Sequence, residues 1–199
     1  MIRNSFFVYR LGENMLGNKA LKSTLFVTLL ALAGLTFSMQ SNAACNFVST
    51  KDGSPLAIKA DAADSAEAKV FLDTCKNPYT AKYAADATAA KVGKKVLSLN
   101  GCTGCHGGNL AGLMAPSLIK SGGQGAYDTK WVYAKNATDK GMFETVSMGT
   151  PGTSGGVMST WHKSLDGHVG DGLSTDEILQ AIAYIRTVYK GDGEKTWLK

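Results

Sequence analysis

The sequence predicts an all-α protein with long loops. Apolar residues recur at helical spacing in several stretches, the last of which has both a start and a stop signal, and no segment shows the alternation expected of a strand. The 23 glycines and 9% aromatic residues of the 199-residue chain point to a small core joined by many turns. A composition of 44% hydrophobic and 19% charged residues argues against long disorder. No apolar run reaches the roughly 18 residues that cross a bilayer, which argues against a membrane span.

Taken in order, residues 1–43 read as an export signal. Lys19 and Lys22 precede the apolar run Leu25–Phe37, and Ser41-Asn42-Ala43 supplies small residues for cleavage after Ala43 or Ala44. Met15 offers a second start that gives the signal a more usual length. A buried helix or a short anchor is the plain alternative reading of the run. Lipidation at Cys45 would need an aliphatic residue that Asn42-Ala43-Ala44 does not offer.

Residues 44–60, with Gly53, Ser54 and Pro55, read as extended. Asp61–Thr74 is alanine-rich with Val70, Phe71 and Leu72, a short helix stopped by Asn77-Pro78. Ala84–Leu99 is a stronger helix, with Val92, Val96 and Leu99 at helical spacing. Gly93 inside it costs roughly 1 kcal/mol against alanine, which close approach of a second helix would explain. Asn100–Gly125 is a glycine-rich loop. Thr138–Met148 is a short helix with Met142, Phe143 and Val146 on its apolar face, and Gly149–Gly156 a flexible turn. Ser174 and Glu177 form a capping box for a helix from Thr175 to Tyr189, striped by Ile178, Leu179, Ile182, Ile185 and Val188 and ended by Gly191. The chain thus divides into a signal (1–43), an N-terminal extension (44–83), a main domain (84–190) and a C-terminal tail (191–199).

The formal charge of +5 is mostly a property of the leader. Four of the 21 basic residues (Arg3, Arg10, Lys19, Lys22) and one of the 16 acidic ones (Glu13) lie in 1–43, so 17 and 15 remain, a net +2. That removes the main support for nucleic-acid binding. Export delivers the chain to an oxidising space, where the four cysteines divide. Cys102 and Cys105 form a close pair. Cys45 and Cys75 are left over and are expected to form a disulfide, with two separate thiols as the alternative.

Cys102-Thr103-Gly104-Cys105-His106 is C-x-x-C-H, the attachment pattern of c-type haem. Two thiols three positions apart can each add to one vinyl group, and the next residue aims its imidazole at the iron from the same side. A thioredoxin-like dithiol would sit in a βαβ context that is absent, and a zinc site would need a second ligand pair at suitable spacing. Assembly of such haem outside the cytoplasm agrees with the leader. A large buried cofactor would also help fill a modest core.

A helix, C-x-x-C-H, a proline, a methionine-bearing loop and a terminal helix together resemble the class I cytochromes c. The resemblance implies three to five helices around one covalent haem c, with the first and last helices crossing at a glycine and an aromatic, here Gly93 and Tyr184. It implies that His106 is the proximal ligand and that Pro116 presents its carbonyl to the other imidazole nitrogen. It assigns the sixth position to Met158, in Gly156-Val157-Met158-Ser159-Thr160-Trp161, a thioether that favours ferrous iron. Met114, Met148, His162 and His168 are the rivals. Met114 is close to His106 in sequence, Met148 reads as core, and the histidines read as exposed loop residues, either of which would make a bis-histidine site.

A narrower resemblance lies in Trp-Val-Tyr-Ala-Lys-Asn-Ala-Thr-Asp-Lys-Gly-Met-Phe-Glu-Thr-Val, residues 131–146, which is similar to a segment of the cytochrome cL family. About 100 residues, Ala84 to Tyr189, share the likeness. Ala134 departs from it where a proline is expected, the Thr150–Gly156 loop is longer than usual, and the Cys45–Cys75 region has no close match. The likeness implies a periplasmic one-electron carrier, not an enzyme. Such a carrier takes electrons from a quinoprotein methanol dehydrogenase without binding the quinone, and passes them to a downstream cytochrome or oxidase. A carrier for another periplasmic alcohol, aldehyde or sugar dehydrogenase is the second reading, and catalysis or gas sensing at an open haem the third. Lys91, Lys94, Lys95, Lys120, Lys130, Lys135 and Lys140 would give either a positive rim for steering or a plain solvated face.

Overall fold

The computed structural model describes residues 45–119, 138–151 and 157–189. The expected signal, the tail, Lys120, Lys130, Lys135 and the 131–137 part of the cytochrome cL-like stretch lie outside the described residues. Six helices and one two-stranded sheet make up the described part: α1 (Ala66–Thr74), α2 (Pro78–Ala85), α3 (Lys91–Leu99), α4 (Cys102–His106), α5 (Asp139–Met148), β1 (Thr150–Pro151), β2 (Val157–Met158) and α6 (Thr175–Val188). None of these helices is long and apolar enough to cross a membrane.

Ser65 starts α1, its Oγ accepting from Ala68 N–H. The helix ends at Cys75 in the left-handed region (φ 61°), before Asn77-Pro78. Those two residues do not stop a helix; they start one. Asn77 accepts from Tyr79 N–H at 3.0 Å, and Pro78, which has no N–H to satisfy, fills the first turn of α2. The single helix expected over Ala84–Leu99 is divided as well. The Asp86 carboxylate accepts from the N–H groups of Thr88 and Ala89, an Asx turn that breaks the helical run. The buried face of α3 is Gly93, Val96 and Leu97, while Val92 and Leu99 are 49% and 73% exposed, so the stripe lies one position away from the expected one.

The other helices follow their sequence signals. Thr138 caps α5 through Gly141 N–H, and Met142 and Phe143 are buried. Ser174 and Glu177 close the capping box of α6, which buries Ile178, Leu179, Ile182 and Ile185. This last helix is the centre of the packing, in contact with α3, α2, α5 and α1. At its crossing with α3, a Cβ on Gly93 would lie 2.8 Å from Tyr184 Cβ and closer still to the Gln180 carbonyl, so only glycine permits the approach.

Residues 45–56 run back across α5 and α1. Phe47 packs on Phe71 and Phe143, with ring centroids 4.8–5.6 Å apart among the three. Val48 N–H donates to Glu144 at 2.8 Å. The Cys45–Cys75 disulfide, with Cα atoms 5.3 Å apart, fastens this segment to the end of α1. Asp176, in the first turn of α6, accepts from Ser65 N–H at 2.8 Å and from Tyr79 Oη at 2.9 Å, joining three helix starts.

Candidate functional site

The C-x-x-C-H residues form one short helix, α4, set between two glycines with positive φ, Gly101 (φ 73°, left-handed) and Gly107 (φ 81°). The chain then folds back under the motif. Gly112 N–H donates to the His106 carbonyl and Ala115 N–H to the Cys105 carbonyl, each at 2.9 Å. These bonds satisfy carbonyls that the end of a helix leaves open. Leu110 holds a left-handed conformation (φ 62°) that is costly for a branched residue, and its side chain is 2% exposed. Burial of that side chain holds the turn.

The fold brings His106 and Pro116 together. His106 Nδ1 lies 2.8 Å from the Pro116 carbonyl oxygen. A carbonyl can only accept, so Nδ1 carries the proton and Nε2 keeps its lone pair. Burial pushes the imidazole below its ordinary pKa, and the Pro116 carbonyl only partly opposes this. The ring is therefore neutral at pH 7, the form that binds a metal. Cys102 and Cys105 are not joined in a disulfide, in contrast to Cys45 and Cys75, which leaves both sulfurs available to a cofactor.

Met158 stands on a separate element, β2, which pairs antiparallel with β1 (Thr150 opposite Met158, Pro151 opposite Val157). The residues after it run along the end of α5. Thr160 Oγ1 donates to the Met148 carbonyl at 2.9 Å, and the N–H groups of Trp161 and His162 both donate to the Ser147 carbonyl, at 3.0 and 3.2 Å. The segment that carries Met158 thus caps α5. Sequence reasoning missed Gly149 and Thr160 in this arrangement. Gly149 carried a visible signal, its place directly after a helix, whereas Thr160 carried none.

The expectation of exposed loop histidines does not hold for His162, which is 1% exposed. Ser164 N–H donates to its Nδ1 at 3.1 Å, so Nε2 carries the proton and donates it to Thr175 Oγ1, also at 3.1 Å. The ring packs edge-on against Phe143. With both nitrogens bonded within the fold, His162 is a core residue. Met114 is 69% exposed and Leu113 65%, both on the turn beneath α4, and Val157 beside Met158 is 71% exposed. Leu113 and Met114 lie on the turn bonded to the Cys105 and His106 carbonyls, and with two cysteines outside any disulfide and a neutral imidazole they fit a large apolar macrocycle. Among the described residues no group of three His, Cys, Asp or Glu could hold a bare metal ion. Lys91, Lys94 and Lys95 are exposed on α3, whereas Lys140 is paired with Glu144.

The family model for cytochrome c matches residues 90–189. Cytochrome c-L of Methylorubrum extorquens is 31% identical over 136 residues, 68% of this chain and 56% of that protein, so the match spans little more than half of the relative's length. Among solved structures, cytochrome cL of Methylophaga aminisulfidivorans is 31% identical with a TM-score of 0.57, covering 78% of this chain and 88% of that one. Cytochrome cL of Hyphomicrobium denitrificans is 30% identical with a TM-score of 0.56, covering 75% and 77%. A model match over half the chain, together with these likenesses in sequence and shape, makes the chain a member of the cytochrome c family, whose proteins carry covalently bound haem c.

Proposed function

We propose that the mature chain is a periplasmic one-electron carrier that accepts electrons from a quinoprotein methanol dehydrogenase and passes them to a downstream cytochrome or oxidase. The haem supplies the chemistry, a one-electron cycle between ferric and ferrous iron. Cys102 and Cys105 hold the macrocycle through thioethers, and His106 gives Nε2 to the iron. Pro116 fixes the plane and tautomer of that imidazole, which keeps its basicity and orientation constant through turnover. Met158 would give its thioether sulfur to the iron as the second protein ligand, a soft donor that favours the ferrous state. With His106 and Met158 both holding the iron, no substrate would reach the metal, and the chain would transfer electrons rather than catalyse a reaction of its own.

The observation that carries this reading is the imidazole of His106, braced by the Pro116 carbonyl on the C-x-x-C-H turn. The likeness to the cytochromes cL supports this choice of donor. The leader supports delivery to the periplasm. Exposed Lys91, Lys94 and Lys95 offer a positive patch for a weak, rapidly exchanging encounter. The test is stopped-flow reduction of the oxidised holoprotein by the methanol dehydrogenase of the same organism with methanol, against acceptors of other dehydrogenases. Rapid reduction that slows with added salt is the expected result. A protein that dithionite reduces but the dehydrogenase does not would exclude this donor and turn the search to alcohol, aldehyde and sugar dehydrogenases.

A further inference from the structure

We infer that Gly149 is a positioning residue for Met158, setting how firmly the methionine holds the sixth position. The inference rests on Met158 being that ligand. Two independent features require glycine there. Its backbone (φ 73°, ψ −176°) lies in a region that essentially only glycine occupies. A Cβ at this position would also stand 2.6 Å from the Ser159 carbonyl carbon and nearer still to the Met158 carbonyl oxygen. Gly149 ends α5 and leads directly into β1, whose Thr150 is paired with Met158. The absence of a side chain therefore lets the Met158–Ser159 backbone lie against the end of α5. Thr160, Trp161 and His162 can then reach the Ser147 and Met148 carbonyls. On the other side Thr50 Oγ1 donates to the Gly149 carbonyl, so the seat is fixed from both directions. Any side chain at 149 must push the Met158 backbone outward or rotate it.

The test uses the holoprotein and reads the ligand rather than electron transfer. Gly149→Ala, Gly167→Ala and Met158→Ala are compared by the ferric methionine-to-iron charge-transfer band and by titration with imidazole, which competes for the sixth position. Gly167 shares a positive φ (74°) but has open space around its Cβ position, so its variant carries backbone strain without touching Met158. Gly149→Ala is expected to weaken the band and to bind imidazole about tenfold more tightly, the scale of one strained residue relieved by letting the ligand go. Gly167→Ala is expected to match the wild type in both. An unchanged band and imidazole affinity in Gly149→Ala, with the band lost in Met158→Ala, would overturn the inference alone. A band that survives in Met158→Ala would overturn the ligand assignment beneath it. Should Gly149→Ala yield no holoprotein, Thr160→Val removes one bond of the same seat. A severalfold gain in imidazole affinity there supports the inference, and wild-type affinity refutes it.

Discussion

His106 Nδ1 and the carbonyl oxygen of Pro116 are 2.8 Å apart, ten residues from one another in sequence. The turn between them depends on Gly112, whose φ of 93° no side chain adopts readily. A Cβ there would lie 2.9 Å from Ser117 N and 3.3 Å from the Ala115 carbonyl. Gly112→Ala must therefore displace the stretch that presents the Pro116 carbonyl. The expected result is a loss of about 1–3 kcal/mol of stability in chemical unfolding, the usual scale for a strained backbone position. The reduction potential should change with it, because the imidazole loses its fixed acceptor. Equal potentials in variant and wild type would show that the turn tolerates the shift and that the brace does not tune the iron.

His162 makes the fold sensitive to acid. Burial holds its pKa at about 4, down from 6.5; Asp64 pulls it up, while Lys163 and His168 push it further down. Protonation would place a proton on Nδ1, where Ser164 N–H now donates. A histidine whose folded pKa lies below its unfolded one contributes its full stability above the unfolded value. It loses that contribution as pH falls from 6.5 towards 4. The loss across that window should approach about 3 kcal/mol. Urea unfolding of wild type and His162→Gln between pH 7 and pH 4 checks it: the variant starts less stable, and the gap closes as pH falls. A gap that stays constant with pH would mean that His162 is not the group that titrates.

The disulfide has a consequence of the same size. It closes a loop with a sequence separation of 30 and pins the segment that carries Phe47, Val48 and Thr50 against α1 and α5. Replacing Cys45 and Cys75 by serine should lower stability by about 3–4 kcal/mol on the chain-entropy account. Haem attachment should survive, because Cys102 and Cys105 are unbridged. Mass analysis without reductant must find no alkylatable thiol at 45 or 75 in the wild type. Two reactive thiols there would show that the native protein does not use the bridge.

What the sequence made legible is what depends on neighbours in sequence. Ser174 with Glu177, and Thr138 three residues before Gly141, specify helix starts by reach alone, and the structure has both. Cys102, Cys105 and His106 stand out for the same reason, since their spacing is the site's spacing. Asn77-Pro78 was ambiguous in principle. Asparagine and proline both end helices and begin them, and only the docking of Asn77 Nδ2 on the Leu179 carbonyl, 102 residues away, selects the start. The roles of Gly149 beside Met158 and of His162 in the core were illegible because their meaning lies in segments they meet in space. A glycine after a helix reads as a stop signal until the Met158 strand is laid against it. A histidine between a tryptophan and a lysine reads as exposed until Phe143, Ser164 and Thr175 surround it.

Asp139 and Arg186 form a buried ion pair, 6% and 4% exposed, with Arg186 Nε 2.9 Å from one carboxylate oxygen. Thr80 Oγ1 donates to the other oxygen at 2.7 Å, so one carboxylate ties α2, α5 and α6 together. Its place in the first turn of α5 adds a favourable interaction with the helix dipole. Asp139→Asn keeps the shape and removes the charge that offsets the buried guanidinium. The expected cost is about 3–5 kcal/mol in urea unfolding, the scale for breaking such a pair from one side. Removing the guanidinium as well, in Asp139→Asn with Arg186→Met, should recover part of the loss, because the desolvated cation is then gone. A single Asp139→Asn variant within 1 kcal/mol of the wild type would mean that the Arg186 charge is balanced elsewhere. A double variant no better than the single one would mean that the junction depends on the packing of the long arginine stem rather than on charge.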